Sequence, residues 1–137
     1  MNNSKILIVN DRPEKIIALE SILNEPHRTF INATSGIEAM LMTKVDQVDL
    51  IILDNDFEDL TANEVAQELR KNETTKNIPI IFITARTKNE IKNLNKFKMG
   101  TVDFLYQPFD MEEMKTKVAI FVKFALQESK WKEKASI

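Results

Sequence analysis

The stretch KILIVNDRP, from Lys5 to Pro13, decides how the rest of the chain is read. Its four apolar residues, Ile6 to Val9, are too few for a signal core or a membrane span. They suit a strand buried on both faces. Asn10 and Asp11 end that run, and Pro13-Glu14 opens a helix, because the N–H that proline lacks has no partner in a first helical turn anyway. Beyond it Ile16, Leu19, Ile22 and Leu23 fall on one helical face. The first two dozen residues therefore read as one strand followed by one helix.

Working outward, four further segments resemble that first strand: Thr29 to Ala33, Val48 to Leu53, Ile78 to Ile83 and Val102 to Tyr106. Helical spacing returns between them. Ile37, Met40 and Leu41 make a second stripe, and Val65, Ala66 and Leu69 a third, followed by the polar loop Lys71 to Asn77. A thinner fourth stripe, Ile91, Leu94 and Phe97, ends at Gly100. The fifth and longest comprises Met111, Met114, Val118, Phe121, Val122 and Ala125. Strand and helix alternate five times. That order predicts an α/β fold, a single doubly wound parallel five-stranded sheet flanked by five helices with right-handed crossovers. Residues 1–126 are expected to form this domain. Residues 127–137, charged and carrying Trp131, are expected to be a C-terminal helix extension or the start of a linker to an output domain.

Composition removes most enzyme classes. The 137 residues contain no Cys, one His (His27) and two Gly (Gly36 and Gly100). A disulfide framework, a His/Cys zinc site and a glycine-rich phosphate loop are therefore excluded. His27, after Pro26 in a loop, reads as a solvated residue rather than half of a catalytic pair. The formal net charge of −2 points to no nucleic-acid partner, and the basic residues Arg86, Lys88, Lys92, Lys96 and Lys98 lack the interleaved aromatics that base stacking needs. A cytoplasmic, non-membrane setting fits the missing cysteines and the short apolar runs.

In a doubly wound sheet, ligands gather beyond the carboxyl ends of the strands where the strand order reverses. The residues leaving those ends are Asn10 and Asp11, then Asp54, Asn55 and Asp56, then Thr84 and Ala85, then Gln107 and Pro108. Convergence would place two or three carboxylates beside a hydroxyl and two amides. Close carboxylates repel unless a cation sits between them, and an all-oxygen donor set favours Mg²⁺.

These landmarks, with DLIILD (49–54), IPIIFITA (78–85) and GTVDFLYQPF (100–109), together resemble the receiver domain of bacterial response regulators. The resemblance runs from about Lys5 to about Ala125. It implies a two-component phosphorelay protein rather than a turnover enzyme, in which Asp54 accepts a phosphoryl group from a histidine kinase or phosphotransfer protein. It further implies Mg²⁺ held by Asp11, Asp54 and the backbone carbonyl of Asp56, with Asn10, Thr84, Ala85 and Gln107 around the pocket. Phe104 would be the aromatic that changes rotamer. The family signals through the face of the fourth helix, fifth strand and fifth helix, which also suggests a homodimer and a fused output domain.

Several positions depart from the family. Asn10 stands where an acid is usual, Gln107 where a lysine is usual, and Glu58 and Ala62 where proline and glycine are usual. A charge-assisted hydrogen bond contributes roughly 1.5–3 kcal/mol, so Gln107 is expected to weaken phosphate-coupled switching by about one to two decades. One carboxylate and one ammonium are lost together, so the net field on a divalent ion is roughly kept. The same departures support a pseudo-receiver acting through protein contacts alone. A remoter reading takes Asp54-Asn55-Asp56 as the Asp-x-Asp pair of an aspartate-dependent phosphatase. For single residues a plainer role stands beside the functional one: Asp11 as a helix cap, Asp54 as a turn residue, and Thr84 and Phe104 as strand-end and core side chains.

Overall fold

The computed structural model describes residues 3–54, 62–85 and 102–135, the side chains of 62, 63 and 126–135 excepted. Strand β1 (Ser4–Val9) is buried apart from the partly exposed Lys5, and its alternate residues face opposite sides. Ile6 and Ile8 enter one core; Leu7 and Val9 enter the other. It pairs in parallel with β2 (Arg28–Ala33) on one side and β3 (Leu50–Leu53) on the other. Strands β4 (Ile80–Thr84) and β5 (Val102–Tyr106) extend the sheet in the order β2-β1-β3-β4-β5. The chain thus winds outward twice from the β1–β3 boundary, as the alternation of strands and helices predicts.

Helices cover both faces. On one, α1 (Pro13–Leu23) contributes Ile16, Leu19 and Leu23, and the C-terminal helix (Met111–Ala135) contributes Met114, Val118 and Val122. On the other, α2 (Gly36–Val45) and α3 (Ala62–Arg70) bury Ala39, Val65, Ala66 and Leu69 against Leu7, Ile51, Leu53 and Phe82. The fourth predicted helical stripe, Ile91 to Phe97, lies outside the described residues, as does the basic cluster from Arg86 to Lys98. The C-terminal helix has 25 residues and so runs about 37 Å, roughly twice the length of a five-residue strand. Among the described residues no helix is long and apolar enough to cross a membrane.

Three local readings need correction. Of the expected α2 face, Met40 is partly buried and packs against the core, but Ile37 and Leu41 do not. Gly36, Ala39 and Thr43 are buried instead, while Ile37 and Leu41 are more than half exposed. Small residues let the helix axis approach the strands closely, and that approach turns the larger side chains outward. Met111 is likewise exposed, because the first turn of its helix precedes the part that packs on the sheet. The strands at Val48 and Ile78 also begin two residues later than predicted. At Pro79 the missing N–H delays the ladder, although its carbonyl accepts from the Ile51 N–H at 3.1 Å.

Arg70, the last residue of α3, fastens the loop that follows. Its Nη1 donates to the carbonyl oxygens of Thr75 (3.2 Å), Lys76 (3.0 Å) and Ile78 (2.7 Å). Burial pulls the guanidinium pKa below its ordinary value, yet the carbonyl oxygens around it offset the lost hydration.

Urea unfolding should therefore show Arg70→Ala destabilised by about 2 kcal/mol, with Arg70→Lys recovering only part. On α2, Ala39→Leu should cost about 1–3 kcal/mol by overpacking, whereas Leu41→Ala should lie within about 0.5 kcal/mol of the parent. The reverse order would restore the original face.

Candidate functional site

All five strands run parallel, so their carboxyl ends share one edge of the sheet. Val9 pairs with Leu53, which places Asn10 and Asp54 side by side one residue beyond the ladder. The backbone confirms this: the Asp54 N–H donates to the Val9 carbonyl at 3.0 Å, and the Asn10 N–H to the Ala33 carbonyl at 3.1 Å. Thr84 leaves the neighbouring strand β4, and Gln107 follows β5 with its N–H on the Thr84 carbonyl at 2.8 Å. Asn10 and Asp54 meet at the β1–β3 boundary, the topological switch point of the sheet, while Thr84 and Gln107 lie along the same edge at the ends of β4 and β5.

Their environments differ. Asn10 is 2% exposed, Thr84 4% and Asp54 9%, while Asp11, Ala85 and Gln107 are exposed. A carboxylate as enclosed as Asp54 needs donors around it, because an unpaired buried charge costs several kcal/mol. Asn10 supplies one: its Nδ2 donates to Asp54 Oδ2. The opposite end of the same amide is held as well, since Asn10 Oδ1 accepts the Arg12 N–H at 2.9 Å. A backbone N–H can only donate, so that bond fixes which end of the amide faces Asp54.

Asp11 does not cap α1. The capping position is Arg12, which makes no side-chain cap hydrogen bond, and Asp11 projects into solvent at the rim. Phe104 is 7% exposed and stacks between Phe82 (5.2 Å between centroids) and Tyr106 (6.0 Å). Asn55, Asp56 and Glu58 lie outside the described residues, as does the side chain of Ala62. No cluster of three or more acidic or histidine side chains suited to a metal occurs among the described residues.

Among the described residues, the partly buried lysines do not replace the ammonium missing at Gln107. Lys5 pairs with Asp46 at 2.8 Å, beside the amino end of β1. Lys117 pairs with Asp103 at 3.0 Å and donates to the Phe104 carbonyl at 3.1 Å. Sequence reasoning missed the donor role of Asn10. The signal was present, since an amide one step past a paired strand faces whatever ends the partner strand.

A doubly wound parallel sheet carrying a buried aspartate at the end of its third strand, across the switch point from an Asn-Asp pair, defines a receiver-type module. The comparisons agree. The chain matches the response regulator receiver domain family over residues 6–119 and belongs to that family, placing it in two-component signalling. It is 30% identical over 128 residues to the transcriptional regulatory protein YvrH of Bacillus subtilis, covering 93% of this chain and 52% of YvrH. It is 32% identical over 114 residues to the DNA-binding regulator RpaA of Synechocystis, covering 83% of this chain and 47% of RpaA. The chain thus spans about half the length of these curated relatives. Among solved structures, response regulator TrrA of Thermotoga maritima, in complex with Mg²⁺-BeF, matches with a TM-score of 0.73 and 29% identity, covering 86% of this chain and 98% of TrrA.

Proposed function

We propose that this receiver accepts a phosphoryl group on Asp54 and relays it as a change of surface with reduced switching gain. The observation that carries the reading is Asp54 itself, a nearly buried carboxylate at the switch point with Asn10 against it and Thr84 leaving the next strand. In the transfer, an Asp54 carboxylate oxygen forms the new O–P bond while the donor's P–N bond to a kinase or phosphotransfer histidine breaks. The lone pair returns to the imidazole. Thr84 then offers its hydroxyl to a phosphoryl oxygen, and Phe104 changes rotamer with it, signalling through β5 and the C-terminal helix.

The oxygen donors at the rim fit a weak Mg²⁺ site. Asp11 is exposed one residue beyond Asn10, and Asp11, Asp54 and the Asp56 carbonyl are the protein ligands in this reading. TrrA, 29% identical, is solved with Mg²⁺-BeF, which supports Mg²⁺ binding here. When bound, the ion would screen the approaching phosphoryl group from the carboxylates. Residues 1–126 form the receiver, and the continuation of the C-terminal helix to Ala135 leads toward an output domain or a second copy. The protein is a cytoplasmic regulator without turnover activity of its own. A pseudo-receiver is the second reading, favoured by the Asn10 contact on Asp54 and by the exposed Gln107 amide in the lysine position.

Incubation with a small phosphodonor and Mg²⁺, read by intact mass, should give a single phosphoryl adduct on the parent and none on Asp54→Asn. No adduct on the parent, or one that survives in Asp54→Asn, removes the phosphoacceptor reading. Gln107→Lys should strengthen the beryllium fluoride-induced shift of Phe104, followed by NMR, by about tenfold in apparent affinity. An unchanged response would assign the weak gain to another residue.

A further inference from the structure

The amide of Asn10 is tied at both ends, and its two bonds act on the phosphoacceptor in one direction. Oδ1 accepts the Arg12 N–H at 2.9 Å, which anchors that end of the amide to the backbone. Nδ2 presents its hydrogen to Asp54 Oδ2. Asn10 is 2% exposed, so neither bond is readily exchanged for water. An ionised aspartate at this position could accept from Arg12 but could not donate to Asp54.

We propose that Asn10 is a positioning residue that braces Asp54 without metal and competes with a divalent cation for its carboxylate. This rests on the reading of Asp54 as the acceptor. The amide hydrogen occupies a lone pair of Oδ2 from the β1 side, where Asp11 also leaves its strand. It brings partial positive charge to the carboxylate oxygen for which a cation would compete. The brace thus holds the acceptor in one rotamer when cation is scarce. The same brace raises the cation concentration needed to load the site.

The test separates this role from a mere shortage of negative charge. Calorimetric titration with Mg²⁺ and with Mn²⁺ is carried out on the intact chain and on Asn10→Ala and Asn10→Asp. Removing the brace without adding charge, as in Asn10→Ala, should tighten cation binding by about tenfold, the size of one hydrogen bond to a carboxylate. Asn10→Asp should bind more tightly still. Asn10→Ala binding cation no better than the parent, with only Asn10→Asp improved, would overturn the proposal. The parent chain supplies an independent readout that needs no variant. The Asn10 side-chain NH₂ resonances should move as Mg²⁺ saturates the site, and their remaining fixed at saturation would also overturn it. Phosphodonor reactions on the same proteins keep the two readings apart. Absence of an adduct in every variant removes the phosphoacceptor function while the titrations still judge the brace. An adduct together with unimproved cation binding in Asn10→Ala removes the brace alone.

Discussion

The parallel pairing of β1 with β3 is the constraint on which the rest of this molecule depends. Val9 and Leu53 close the ladder together, and the Asp54 N–H completes it on the Val9 carbonyl at 3.0 Å. The sheet reverses its winding at this boundary. A carboxylate placed there is enclosed by strands on both sides, and Asp54 is 9% exposed. Shifting the β1–β3 register by one residue would move Asn10 away from Asp54 and turn Ile6, Leu7, Ile8 and Val9 to the wrong cores. The apolar packing of both faces therefore maintains the geometry of the site.

Most of the architecture was legible because period and composition carry it. Ile6 to Val9 and Leu50 to Leu53 are too apolar to lie anywhere but inside a sheet covered on both sides, and helical stripes between strands imply parallel crossovers. The face of α2 was not legible. With Ile37, Met40, Leu41, Met42 and Val45 the helix is apolar all round, so hydrophobic spacing cannot choose a side. The choice falls to the closest approach that Gly36 and Ala39 permit, which is a tertiary effect. The late start of β4 was hidden for a similar reason, since Ile78 is apolar and half-buried but precedes a proline.

The shared edge of the strand ends was legible, and the wiring between their side chains was not. Strand ends named Asn10, Asp11, Asp54, Thr84 and Gln107, and parallel strands brought them to one edge. What the residue types alone could not reveal is that Asn10 turns its donor to Asp54 and its acceptor to Arg12. Counting charges treats the loss of an acid at position 10 and of a lysine at position 107 as cancelling. Hydrogen-bond direction does not, because an amide that donates is different from an acid that is merely absent.

The two departures are linked by the enclosure of Asp54. A carboxylate that is 9% exposed must be stabilised by nearby donors or positive charge, or its ionised form becomes too costly to hold. In the usual family pocket that requirement is shared by an ammonium and a cation. Here Gln107 is exposed, and Lys5 and Lys117 are committed to Asp46 and Asp103. A donor fixed at position 10 meets part of the same requirement from inside the sheet, where salt and solvent screen it least. An amide dipole is weaker than a full charge, but it is pre-oriented by the Arg12 backbone and needs no ion to be present. On the proposed reading, Asp54 is thereby kept ordered under conditions in which a metal-dependent pocket would be loosely held. Once Asn10 fills that role, the pressure to keep an ammonium at position 107 is reduced, which is a physical reason for the two substitutions to occur together.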